Sequence, residues 1–338
     1  MTVSSPVISG PIMVDEDGDL KLVVGANRRE FVICSRSIAR ASRVFKRMLF
    51  GGFRESRPTA EISTPWVVDL PEDDPEAAGL LLCIAHSRFE NTPASLTLAE
   101  LHSLLVFSEK YDMTRLIRPW VQAWVPQPMV WQDSADYGTM IGIAWELGVQ
   151  DAFLDIVKRM VVECRVDANG QLVGDDQMPI EKLAMPLIPN GYFEAIANHR
   201  LILLNEIFKR LRDVIMQLQL SIPTNSAHYC TYPDARPDAC HAMILGSIVS
   251  GLGLLELNII FQSEEEGPLY LPSINHLISV VTAISVVYIA DIHEDCNPLP
   301  KLLEGYRELL IHVDLLTAEH IVHLKAQQEK LDIPPLVL

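Results

Sequence analysis

From Gly267 to Ala290 the chain carries no formal charge, and the segment ends in Leu277-Ile-Ser-Val-Val-Thr-Ala-Ile-Ser-Val-Val-Tyr-Ile-Ala290. A stretch like this leaves two options, a membrane span or burial inside a folded core, because both hide apolar side chains from water. A spanning helix needs ~20 mostly apolar residues with anchors at its ends. Here the strongly apolar part begins only after Pro272, Asn275 and His276, and Asp291 closes it. Ser279, Thr282 and Ser285 interrupt it, and no basic residue flanks it. The reading is a buried helix over Leu277–Ile292, with no membrane as partner. The remaining composition agrees: 49% of 338 residues are apolar and 21% charged, a globular balance that excludes wholesale disorder. Single cores stop growing near ~250–300 residues, so the length implies more than one domain.

The formal net charge is −17. An acidic surface repels phosphate backbones and anionic lipid, so nucleic acid is excluded as a direct partner. The opening Met-Thr-Val-Ser-Ser-Pro has no basic stretch followed by an apolar one, which excludes a secretory signal. The six cysteines are dispersed, and without a signal they are expected as reduced thiols in a cytoplasmic and/or nuclear protein. No Gly-x-Ser-x-Gly elbow, His-Glu-x-x-His pair or phosphate-binding Walker motif occurs, so no enzymatic activity is expected.

The pattern along the chain gives an α+β fold. Residues 1–17 read as a disordered tail. Leu20, Leu22 and Val24 alternate, as do Phe31 and Ile33 beyond the Gly25-Ala-Asn27 turn, which makes a β-hairpin with one buried side. Ser42 caps a helix with Phe45, Met48 and Leu49 as its apolar stripe, ended by Gly51-Gly52. Val67–Leu70 is a third strand. Asp74-Pro75 opens the next helix, whose stripe is Leu80, Leu81 and Ile84. Beyond 125 the pattern is helical: a helical extension over 126–222 and a C-terminal helical domain over 223–338. Helices are expected at 131–147, 152–166, 192–220, 241–260, 299–316 and 318–331, and a proline-broken linker at 222–238.

The first module resembles the BTB/POZ domain in its filamentous-fungal form. Asp19-Leu-Lys-Leu-Val-Val-Gly25 resembles the opening strand, and Phe31-Val-Ile-Cys-Ser35 with Ile38, Ser42, Phe45 and Met48 resembles the family core. Gly51-Gly-Phe-Arg-Glu-Ser56, Leu70-Pro-Glu-Asp-Asp-Pro-Glu76, Lys110-Tyr-Asp-Met-Thr-Arg115 and Arg118-Pro-Trp120 continue the match in order. Two departures stand out. Cys34 and Ser35 replace a His-Lys pair common in animal members, and His86-Ser-Arg-Phe-Glu-Asn91 replaces an aromatic strand. The resemblance implies a non-enzymatic protein–protein interaction adaptor. Its partners would be other proteins or a second copy of itself as a homodimer, with Ile38 and Phe45 at the two-fold interface. A substrate adaptor of a cullin-type ubiquitin ligase and a metal-dependent enzyme in the helical half are the alternatives.

One constellation carries chemistry of its own. Cys230 and Cys240 are separated by nine intervening residues, and His293 and Cys296 form His-x-x-Cys further on, with His228 and His241 beside the first pair. A Cys₃His set suits structural zinc, but the first gap is wider than the usual ~2–4 residues. Two readings stand: one zinc held by Cys230, Cys240, His293 and Cys296, or separate reduced thiols. Zinc requires the four ligand atoms to converge within roughly 4 Å. His199, His312, His320 and His323 read as surface groups on amphipathic helices. Trp120, Trp124 and Trp131 read as packing or as an aromatic partner site.

Overall fold

Successive side chains of a pleated strand point to opposite faces. Leu20, Leu22 and Val24 are accordingly buried while Lys21 reaches out to Glu30 at 2.9 Å. The computed structural model describes residues 10–57, 65–125, 136–174, 177–184, 187–224, 229–230, 232, 236–257, 270–288, 291–304 and 315–333. They form two compact units, Met1–Phe153 with Ala184–Ile188 and Thr317–Leu338, and Leu154–Leu183 with Pro189–Leu316. The fold is mixed α+β.

The first unit is built on a mixed sheet of β1 (Ile12–Met13), β2 (Leu20–Val24), β3 (Arg29–Ile33) and β4 (Val67–Leu70), in the order β1-β3-β2-β4. The expected hairpin is β2–β3, antiparallel, with Leu22 opposite Phe31 and Leu20 opposite Ile33. β4 runs parallel to β2, and β1 parallel to β3. The tail expected over 1–17 is corrected from Ile12 onward. The amides of Val14 and Asp15 donate to the Val32 carbonyl at 3.0 and 3.1 Å, and Val14 is buried. A two-residue strand offers no alternation to read; residues 1–9 lie outside the described residues.

Helices α1 (Ser35–Ala41) and α2 (Arg43–Phe50) follow. Ser35 donates from its amide and hydroxyl to the Asp19 carboxylate at 2.7 and 2.8 Å. The Ser42 hydroxyl accepts from the Phe45 amide at 2.9 Å and donates to the Tyr111 carbonyl. Phe45 is fully buried and stacks on Tyr111, ring centroids 4.4 Å apart. Asp74 caps α3 (Pro75–Ala85) by accepting from the Ala77 amide at 2.7 Å, as its sequence predicts. Thr97 and Glu100 form a capping box on α4 (Leu98–Lys110). Beyond it Lys110 and Tyr111 both reach the buried Asp73, at 2.8 and 2.7 Å. The helix α5 (Arg118–Trp124) buries Trp124, whose indole nitrogen donates to the Pro93 carbonyl at 3.0 Å. Trp120 stacks beside it and touches the exposed Phe89, so the tryptophans are packing residues with one aromatic edge open; Trp131 lies outside the described residues.

In the second unit the helix expected over 152–166 stops at Glu163. The chain reverses through the Asn169-Gly170 turn to pair β5 (Arg165–Val166) with β6 (Leu172–Val173). The long helix Tyr192–Thr224 packs against Pro237–Leu254, which buries Cys240, Ile244, Ile248 and Leu252, every fourth residue, on one stripe. The uncharged segment forms a helix only over Ile274–Thr282, not to Ile292. Thr282 turns its hydroxyl back to the Ile278 carbonyl at 2.7 Å, and the chain leaves helical geometry after Ala283. Ile284 then seats against Gly251, where an added Cβ would stand 2.5 Å from its methyl. Among the described residues no helix is long and apolar enough to cross a membrane. Of the helix expected over 299–316, Leu299–Glu304 is helical and residues 315–316 are not; 305–314 lie outside the described residues.

The helix Ala318–Leu331 belongs to the first unit, which corrects its placement in a C-terminal domain over 223–338. It buries Leu324, Gln327 and Leu331, and packs on the helix Tyr137–Leu147. The approach is close at Gly148, whose φ is +70°, and a Cβ there would lie 2.3 Å from the Leu324 carbonyl oxygen. Arg118 pairs with Asp332 at 2.6 Å. Under this helix Glu146 is 1% exposed and accepts from Gln327 Nε2 at 2.7 Å, with His323 Nε2 3.9 Å away. His323 stacks on Trp145 at 4.1 Å and His320 meets the same ring edge-on. Neither histidine is the plain surface group that helical periodicity implies. Burial, with Glu109 adding, pushes the Glu146 carboxyl up to about 8, against its usual 4.5. The folded chain therefore holds a proton that the unfolded chain releases above pH 4.5. The folded state binds more protons between about pH 4.5 and about 8, so this group lowers stability as pH rises through that window. Glu146→Gln should remove that decline, a difference on the order of 2–4 kcal/mol at its full extent. Urea midpoints of both proteins across the window measure it, and parallel profiles would refute the assignment.

Candidate metal centre

Residues Asp291–Cys296 form a 3₁₀ turn. With ~3 residues per turn, positions i and i+3 eclipse, so His293 and Cys296 point the same way, Nδ1 and Sγ 3.7 Å apart. Cys230, in the segment before the helix Pro237–Leu254, brings its Sγ 3.5 Å from the same Nδ1. Cys240 comes from the first turn of that helix, where Pro237 fixes the start and the backbone dipole favours negative charge. All four ligand atoms lie within 4.8 Å of one another. Cys230, Cys240, Cys296 and His293 are 0, 1, 3 and 3% exposed. The sequence-predicted quartet is therefore brought together in full. His241, next to Cys240, is buried against the Tyr229 ring and is not one of the four, and His228 lies outside the described residues.

Metal–sulfur bonds of ~2.3 Å make tetrahedron edges of about 3.8 Å. The two contacts to His293 meet that length. The widest separation, 4.8 Å, exceeds both it and the expected 4 Å, so closing on an ion requires the set to contract. Burial, reinforced by Cys296 and Cys230, pushes the Cys240 thiol up to about 12, and burial likewise raises Cys296. Buried sulfurs that resist ionising alone become thiolates against a cation, so metal uptake releases protons and weakens as pH falls. The Tyr232 ring packs edge-on to His293 at 5.3 Å and fixes its orientation. Among the described residues no carboxylate joins the set. The cluster can hold a metal ion in a closed, structural manner.

Sequence reasoning missed the burial of Asp73, Glu146 and Arg200. Glu146 had a readable signal, a carboxylate inside the apolar run Ile143-Ala-Trp-Glu-Leu147. No family model, curated protein or solved structure matches the chain.

Proposed function

We propose that this chain is a non-enzymatic protein-interaction adaptor of BTB/POZ type, whose second unit is held by one structural zinc at Cys230, Cys240, His293 and Cys296. One observation carries the first half: the residues behind the resemblance meet one another in pairs. Asp19 holds Ser35, Ser42 and Phe45 hold Tyr111, Ser56 holds the Met48 carbonyl, and Asp73 holds Lys110 and Tyr111. Each pair joins two short motifs, so motifs that are weak singly support a common module. The donor chemistry supports the second half, since three thiolates and an imidazole in a closed tetrahedral set suit zinc.

Self-association follows a different surface from the one the resemblance implies. Ile38 and Phe45 are fully buried within the unit. The exposed apolar residues beside them are Val44, Phe50 and Phe53, the last 59% exposed. A two-fold contact would bury this patch against its own copy. Light scattering on the full chain at micromolar concentration should give a dimer mass, reduced to the monomer by Phe53→Glu. A monomer at every concentration sinks the homodimer. Metal analysis of protein purified without a histidine tag should find about one zinc per chain, and a zinc-free, fully folded protein sinks the metal assignment.

A further inference from the structure

The hairpin β5–β6, the start of the helix Tyr192–Thr224 and Tyr270 line a cavity of about 560 Å³. That volume lies within the ~300–1,000 Å³ typical of small-molecule sites. Along the helix, Glu194, Ala197, Asn198 and Leu201 face it at the i, i+3, i+4, i+7 positions of one side, and the small Ala197 leaves room.

Arg200 stands in the wall of this cavity and is 3% exposed. Its Nη2 donates to the carbonyls of Tyr270, at 2.8 Å, and Pro272, while the buried Nε has no acceptor among the described residues. Burial lowers the guanidinium to about 10, so it stays cationic at neutral pH, and no described carboxylate acts on it. A buried charge without a counter-charge is costly, and a carboxylate is the partner that matches a guanidinium in shape and sign. The rim carries the opposite sign, with Glu194 exposed and Glu181 half-exposed. A plain anion would be attracted by the wall and repelled at the mouth. A ligand with both charges satisfies both.

We propose that this cavity binds a small zwitterion of the aliphatic α-amino-acid type, its carboxylate on Arg200, its ammonium towards Glu181 and Glu194, and its side chain against Leu172 and Phe193. The assignment rests on neither the zinc cluster nor the first unit. Calorimetric titration of the full chain with L-leucine should show saturable binding. L-leucinamide, which lacks the carboxylate, and 4-methylpentanoate, which lacks the ammonium, should each bind at least about tenfold more weakly. Arg200→Gln should abolish binding. Because Arg200 also pins Tyr270 and Pro272, the exposed Glu194→Gln serves as the second variant. It should weaken L-leucine several-fold and leave 4-methylpentanoate no weaker. No saturable binding of L-leucine up to ~10 mM overturns the proposal. So does leucinamide or 4-methylpentanoate binding as tightly as leucine, or Glu194→Gln weakening leucine and 4-methylpentanoate alike.

Discussion

Stripping zinc from the full chain with an excess chelator at neutral pH should lower the melting temperature of the second unit by about 10 °C or more. The four ligands come from three separate stretches of chain: Cys230, Cys240 in the first turn of a helix, and His293 with Cys296 on a single 3₁₀ turn. Where no site exists in the unfolded chain, metal-binding energy is folding energy, on the order of 10 kcal/mol for structural zinc. Even half of that shifts a unit of this size by ~10–20 °C. Cys240→Ser should reproduce the loss without chelator. His293→Cys should retain zinc, because a fourth thiolate still completes the tetrahedron. Cys34→Ser, outside the cluster, should change neither zinc content nor melting. Chelation without any thermal response, in a protein that had held zinc, would show the ion to be incidental.

Phe45→Ala should destabilise the first unit by about 3–5 kcal/mol, the range for truncating a buried aromatic. The ring is fully enclosed, stacked on Tyr111, and its own amide is the one that caps α2 through Ser42. The cavity left behind would lie between Tyr111 and the α2 stripe that continues to Leu49, both buried, with no solvent to fill the space. Thermal unfolding followed by near-ultraviolet circular dichroism reports it, and a shift of less than ~3 °C would mean that α2 does not present this face to the core.

The features legible in the sequence share one property: their signal is local. Alternation at Leu20, Leu22 and Val24 and the caps at Ser42 and Asp74 each occupy a few consecutive residues, and the structure places them as read. The metal cluster was legible because sulfur and imidazole are rare and their pairing spacings are few. What was not legible depends on partners far along the chain. β1 is a strand because β3 pairs with it in parallel, Ile12 beside Phe31 and Met13 beside Val32, and the helix over the uncharged segment ends where Ile284 must meet Gly251. The assignment of Ala318–Leu331 to the first unit turns on Gly148 and Glu146, residues that carry no signature of a distant helix.

That distant helix sets an order of events during synthesis. Gln327 closes on Glu146 across 181 positions and Asp332 on Arg118 across 214. Translation runs at ~5–20 residues per second, so the surface around Trp145 and Glu146 waits on the order of 10–30 s on the ribosome for its cover. Contacts this remote in sequence also form slowly after release. Throughout that interval a nascent chain displays a carboxylate meant for burial beside uncovered aromatic surface, a target for chaperones. A premature stop before Thr317 would make that state permanent, so truncations far from the N-terminal module should fail by misfolding that module.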